Sequence, residues 1–214
     1  MKKIGRLHVI TDTVLQSRFD HVELAGLAVA GGADTIQYRQ KTGSTREMIE
    51  TARCMKRLCA EAGVAFIVND RLDVALASEA DGVHLGREDF PIPLARRLLG
   101  KNLVIGGSAA SLEEACKCAE EGADYIGFGP VYPTGSKADA APATGIPTLK
   151  QVLERVSVPV IAIGGINPDN TRELIAAGAR GVAVISSVCC REDPAAATKA
   201  LRQAIWPESG GGHG

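Results

Sequence analysis

One short apolar run ends in Gln37-Tyr38-Arg39-Gln40-Lys41. In a strand, alternation puts Gln37, Arg39 and Lys41 on one side and Tyr38 and Gln40 on the other. Two cations and an amide facing one space require an anion or a polar ligand. A solvated surface turn is the competing reading, but Gln37 lies inside the apolar run. A second run ends in Asn69-Asp70-Arg71 and a third in His84-Leu85-Gly86-Arg87-Glu88-Asp89. Asp70 and Asp89 are hard oxygen donors at neighbouring run ends. Mg²⁺ is typically held by one or two carboxylates, with phosphate and water completing its shell. The bland alternative is capping: Asp70 at the start of the next helix, and the acids at 88 and 89 before a helix over 91–99. Later runs end in Ser108, in Gly164-Gly165 and in Val184-Ile185-Ser186. Gly165 lets a backbone approach closely, Ser186 adds a hydroxyl, and together they suit a phosphate. Thr134, Ser136 and Lys137 stand in the patternless stretch 130–144, which is long for a connection and reads as an active-site lid.

These residues need a scaffold that brings run ends together. Eight Val/Ile-rich runs occupy 7–11, 35–39, 65–69, 82–85, 104–108, 125–129, 159–164 and 181–186. Their near-continuous hydrophobicity suits parallel strands covered on both faces. Between them lie helical patterns, as at 45–62, where Met48, Ile49, Ala52, Met55 and Cys59 recur at helical spacing. Asp193-Pro194 opens a last helix, with Asp as N-cap and Pro in the first turn. Gly32-Ala33-Asp34, Ala80-Asp81-Gly82, Gly122-Ala123-Asp124 and Gly178-Ala179-Arg180 each precede a strand. Their alanines fall 47, 43 and 56 residues apart, two strands and two helices per interval. The small residues suit a helix C-terminus that ends in a left-handed glycine. The expected fold is therefore α/β, a single-domain (β/α)8 TIM barrel over residues 1–206, with a flexible tail over 207–214. An open doubly wound sheet is the alternative, but eight similar strands leave nothing to mark a switch point. In a barrel the chemistry collects at the C-terminal strand ends, with phosphate commonly bound after strands seven and eight.

Composition narrows the function. The chain has 214 residues, 24 basic against 25 acidic side chains and 4% aromatics. That balance gives little reason to bind a nucleic-acid backbone and little to stack bases on. No apolar stretch is long enough to span a membrane, and the N-terminus lacks a signal-peptide pattern, so the expected address is cytoplasmic. Cys54, Cys59, Cys116, Cys118, Cys189 and Cys190 form no C-x-x-C pair and read as reduced thiols acting as small hydrophobes. Cys189-Cys190 follows a strand pattern. Oligomeric state is left open, a homo-oligomer included.

The chain also carries, in order and nearly without gaps over 6–206, a set of longer motifs. They are Gln37-Tyr38-Arg39-Gln40-Lys41, Asn69-Asp70-Arg71-Leu72-Asp73-Val74-Ala75, Asp81-Gly82-Val83-His84-Leu85-Gly86, Gly127-Phe128-Gly129-Pro130-Val131-Tyr132-Pro133-Thr134, Lys137, and Ala162-Ile163-Gly164-Gly165-Ile166. As an ordered set they resemble the thiamin phosphate synthase family. The resemblance implies a transferase joining a hydroxymethylpyrimidine diphosphate to a thiazole phosphate, with pyrophosphate leaving first in a dissociative, Mg²⁺-assisted reaction. By matching position it implies that Arg39, Lys41 and Lys137 hold the diphosphate. Gln37 and Asn69 would bond the pyrimidine, and Asp70 and Asp89 would ligate Mg²⁺. Ser108 would lie near the reacting groups. Thr134, Ser136, Gly165, Ile185 and Ser186 would hold the thiazole phosphate. His84 would be structural, inside the barrel; His8 and His21 receive no role. The sequence departs from the family at Ala109-Ala110, where a polar Thr or His is common, at Ser136 for Thr, and at Arg87 for Gln. The related thiazole tautomerase branch needs no diphosphate and places a His where Pro130 stands. A non-catalytic phosphate-binding barrel would keep Gly165 and Ser186 but has no use for paired acids and Lys137.

Overall fold

The Val/Ile-rich runs form eight parallel strands: β1 (Leu7–Thr11), β2 (Thr35–Tyr38), β3 (Ala65–Asn69), β4 (Gly82–Leu85), β5 (Val104–Ala109), β6 (Tyr125–Phe128), β7 (Val160–Ile163) and β8 (Gly181–Val184). Each pairs with the next, and β8 pairs back with β1, closing the barrel in chain order. The computed structural model describes residues 4–136 and 142–206; the expected tail over 207–214 lies outside them. The helices that wrap the barrel are α1 (His21–Ala30), α2 (Thr45–Glu61), α3 (Leu72–Ala77), α4 (Ile92–Leu99), α5 (Leu112–Glu120), α6 (Gly145–Arg155), α7 (Pro168–Ala176), α8 (Ser186–Cys189) and α9 (Pro194–Ile205). Among the described residues no helix is long and apolar enough to cross a membrane.

Strand alternation sorts the core into two shells. Leu7, Val9, Ile36, Phe66, Val68, Val83, Ile105, Ile126, Phe128, Val182 and Val184 face out and pack beneath the helices. Ile10, Ile67, Val104, Tyr125, Ile161, Ala183 and Ile185 face in and fill the barrel axis. A buried aliphatic side chain contributes roughly 1.5–3 kcal/mol, so the double coverage explains why the strands read as continuous apolar runs.

The Gly-Ala-Asp repeat has a structural job that spacing alone did not reveal. Gly32, Gly122 and Gly178 take left-handed backbone with φ of 94°, 93° and 109°, and Glu79 stands at the equivalent position with φ of 55°. The aspartates that follow reach to the start of the preceding strand. Asp34 accepts from the Leu7 N–H at 2.8 Å, Asp81 from Phe66 at 2.9 Å and Asp124 from Ile105 at 2.7 Å. The fourth unit has Arg180, whose carbonyl instead accepts from Arg6 Nε at 3.0 Å. All of this lies at the N-terminal strand ends, the face away from the expected chemistry.

Asp193 caps α9 as read, accepting from the Ala196 N–H at 2.9 Å. The last run is shorter than expected. Ile185 turns out of the strand with φ −118° and ψ −83°, and Ser186 begins the one-turn α8. Cys189, which comes after the strand as read, lies in this helix and is buried.

Candidate active site

At the C-terminal strand ends a cavity of about 310 Å³ opens. Gln37, Arg39, Lys41, Asn69, Asp70, Asp89, Ser108, Thr134, Ser136, Gly165, Ile185 and Ser186 all line it. Lys137 lies outside the described residues. Stretch 130–144 is pinned at its base, where the Thr144 N–H donates to Pro130 O at 2.8 Å and Val131 N–H to Ile163 O at 2.9 Å.

Alternation after β2 is as the residues demanded. Tyr38 packs outward, edge-on to His21 at 4.7 Å, and Gln40 meets His21 at 2.6 Å. The two cations after β2 are each paired with an acid, although Lys41 stays half exposed. Arg39 donates to the buried Asp12, and Lys41 to Asp70. Neither acid caps the helix after it. Asp70 sits at φ 63°, α3 has Arg71 at its N-cap with no side-chain bond, and Asp89 accepts from the Gly86 N–H at 2.7 Å.

Asp70 and Asp89 share a hydrogen bond and titrate apart. Burial and then the bond and charge of Asp70 raise the Asp89 carboxyl above its ordinary range. Burial works to raise Asp70 too, but is outweighed by the bonds from Asp89 and Lys41 and by the Lys41 charge, so Asp70 is lowered. Two carboxylates pressed together can keep only one full charge unless a cation joins them. Among the described residues no group of three or more His, Cys, Asp or Glu is placed to hold a metal. A two-carboxylate set fits Mg²⁺ that takes its other ligands from phosphate and water.

The barrel interior forms the floor. His84 is inside, as read, but its ring reaches the cavity. Its Nε2 lies 2.9 Å from Ser108 Oγ and its Nδ1 lies 2.9 Å from the Tyr125 hydroxyl. His8 is buried beside Tyr125, ring centroids 5.5 Å apart. Burial lowers its pKa to about 4, against the pull of Asp34 and a Gly5 carbonyl contact. It is neutral at pH 7, with Nε2 donating to Gly5 O at 3.2 Å.

Opposite the acids, Ser136 Oγ donates to Ser186 Oγ at 2.9 Å and the Ser136 N–H to Thr134 Oγ1 at 3.2 Å. Gly165 closes this pocket at φ 64°, where a Cβ would lie 2.5 Å from Pro133 O, so no other residue fits without a backbone shift. The short α8 starts at Ser186, where barrels often carry an extra helix. Ala110, one of the departures, donates its N–H to Glu114 at 2.7 Å, and Glu114 also pairs with Arg87 at 2.7 Å.

Two residues were missed. Asp12 directly follows β1 and would have emerged from the strand-end rule had it been applied to the first run. Tyr125 opens an apolar run, and only the closed register turns it toward His84.

Residues 7–188 match the family model described as thiamine monophosphate synthase. The thiamine-phosphate synthase of Methanocella arvoryzae is 53% identical over 199 residues, covering 93% of this chain and 94% of that protein. That of Salinibacter ruber is 50% identical over 204 residues, covering 95% and 90%. The solved thiamine phosphate pyrophosphorylase of Pyrococcus furiosus superposes with a TM-score of 0.86 at 46% identity, covering 94% of this chain and 95% of that one.

Proposed function

Since the chain belongs to the thiamine monophosphate synthase family and is a thiamine-phosphate synthase, a transferase, we propose that its barrel mouth works as two anion subsites facing one reacting carbon. The observation that carries this is the presence in one cavity of the Lys41–Asp70–Asp89 cluster and the Ser136–Ser186 pocket.

In this reading Gln37 and Asn69 hydrogen-bond the pyrimidine, and Arg39, Lys41 and Lys137 hold its diphosphate. Asp12 fixes the Arg39 guanidinium in place before substrate arrives, so little reorganisation is needed as charge develops. Asp70 and Asp89 would hold Mg²⁺, which when bound supplies neutralisation of the charge gathering on the leaving diphosphate. The C–O bond to the diphosphate breaks first and leaves a pyrimidine carbocation next to Ser108. Thr134, Ser136, Gly165, Ile185 and Ser186 hold the thiazole phosphate so that the ring nitrogen faces that carbon. The nitrogen lone pair forms the new C–N bond, and the nitrogen carries no proton that must be removed. A strong general base is therefore unnecessary, which agrees with histidines engaged within the barrel and not with an activated nucleophile.

The test is pyrophosphate release with Mg²⁺, the pyrimidine diphosphate and the thiazole phosphate, each omitted in turn. Release that needs all three, with thiamin phosphate formed in equal amount, is the expected result. Release without the thiazole phosphate at the full rate would sink the two-subsite reading, and full activity in metal-free buffer would sink the role given to Asp70 and Asp89.

A further inference from the structure

We propose that His21 is a positioning residue. By holding Gln40 on the outer side of the chain that leaves β2, it keeps Arg39 and Lys41 turned into the mouth. The proposal rests on the reading that these two cations hold the pyrimidine diphosphate.

The ladder around β2 ends at Tyr38, which pairs with Thr11 and Val68. Arg39, Gln40 and Lys41 follow as irregular chain. Side-chain contacts must therefore fix which way these residues point. On the inner side Asp12 takes the Arg39 guanidinium. On the outer side His21 Nε2 meets Gln40 Oε1 at 2.6 Å. The Thr13 hydroxyl closes on the same oxygen, donating at 3.4 Å.

The hydrogen bonds set the direction of this grip. Gln40 Nε2 donates to the Thr42 carbonyl at 2.9 Å, so the amide oxygen is the atom that meets His21. That oxygen can only accept, so His21 Nε2 carries the hydrogen. In the neutral ring the other nitrogen is bare, and it accepts from the Thr11 hydroxyl at 2.8 Å. Burial lowers the His21 pKa, against the Gln40 bond and the charges of Asp12 and Asp20, so the ring is neutral at pH 8.

The imidazole is itself fixed. It stands on the first residue of α1, whose N-cap Asp20 accepts from the Val22 and Glu23 N–H groups at 2.8 Å. The Tyr38 ring lies edge-on to it. It thus ties a helix start and the last residue of β1 to one side chain of the irregular stretch. The neighbours of a side chain held outward turn the opposite way, and Arg39 and Lys41 both line the cavity. Arg39 has a second hold in Asp12. Lys41 is half exposed and depends on Gln40 more.

The experiment measures the KM for each substrate at pH 8 in wild type, His21→Ala, Gln40→Ala and the double variant. His21→Ala should raise the pyrimidine diphosphate KM about tenfold, the size of one lost buried hydrogen bond, and leave the thiazole phosphate KM unchanged. Gln40→Ala should raise it by a similar factor, and the double variant no further, because His21 acts through Gln40. His21→Gln offers an amide N–H to the same oxygen and should recover most of the loss. A histidine needed only for packing would move both KM values, or add its effect to that of Gln40→Ala. Either result overturns the proposal, as does an unchanged pyrimidine diphosphate KM in folded His21→Ala. Should His21→Ala not fold, Gln40→Ala decides, and a wild-type pyrimidine diphosphate KM there overturns the proposal. Arg39→Ala and Lys41→Ala separate the two levels. If neither raises the pyrimidine diphosphate KM, the diphosphate reading fails and the proposal with it. If they raise it and His21→Ala does not, the grip alone is refuted.

Discussion

A histidine sealed inside a barrel binds its proton far less readily than the same residue in an unfolded chain. His8 goes from an ordinary 6.5 to about 4 on folding, mainly because burial penalises the charged ring. Below pH 6.5 the unfolded chain therefore takes up a proton that the folded one refuses, and stability falls as the pH drops toward 4. The full difference amounts to about 3 kcal/mol, and it is absent above pH 6.5. Urea midpoints measured between pH 7.5 and 4.5 should fall with acid in the wild type and fall less steeply in His8→Gln. His21 is also lowered by burial, against its bond to Gln40, so part of the slope remains. At the mouth, Asp89→Asn removes a carboxylate whose partner Asp70 already holds the Lys41 charge. The Mg²⁺ concentration for half-maximal rate should then rise by about tenfold or more, read by titrating the metal in the pyrophosphate assay. The strand-end residues could be picked out in the sequence because core packing has no use for Gln37, Arg39 or Asp70. Their partners could not. Arg39 meets Asp12 across 27 positions and Lys41 meets Asp70 across 29, and only the pairing of β1 with β2 and of β2 with β3 brings them together.

Between residue and barrel stands the repeated helix-to-strand turn. Its glycines were readable as left-handed helix ends, while the aspartates after them looked like ordinary loop polarity. Their function needs the preceding strand, one of whose opening N–H groups each aspartate accepts. Asp81 is the best case to test, since it holds both the Phe66 N–H at 2.9 Å and Lys56 Nζ at 2.6 Å. Asp81→Ala should cost about 1.5–3 kcal/mol in urea unfolding, because both donors lose a charged acceptor in a half-dry place. Glu79 gives the opposite result. It occupies the left-handed position that glycine fills in the other three turns, and L-residues there pay roughly 1–2 kcal/mol. Glu79→Gly should raise stability by about 1 kcal/mol after the added chain entropy of glycine is deducted. Short α8 escaped notice for a different reason: four residues carry too little periodicity to stand out, and Ile185 continues the apolar run before it.

For the whole molecule, eight similar runs sufficed to infer a closed barrel, and the inward set sealed the reading of where polar residues would gather. The radial order inside the barrel was less accessible. Which of two alternating sets faces in depends on register, so Tyr125 emerged only with the strands paired. The finished barrel divides labour between its ends. The mouth holds Asp70, Asp89, Ser108 and Ser186. The opposite end holds the aspartate turns and a stack in which Arg6 and Arg202 lie 4.9 and 4.7 Å from the Trp206 ring.

That stack makes the two ends of the barrel sequence neighbours in space. Chain order is then a convenience of synthesis and not a requirement of the architecture. A circular permutant joined by a short glycine-serine linker from 206 to 6 could begin at Gly63, an exposed turn residue where an added Cβ would meet nothing within 4 Å. It should keep the parent circular dichroism spectrum and its dependence on both substrates, with a lower unfolding midpoint from the broken turn. Loss of the spectrum would mean that β1 and β2 must be made first for the sheet to close.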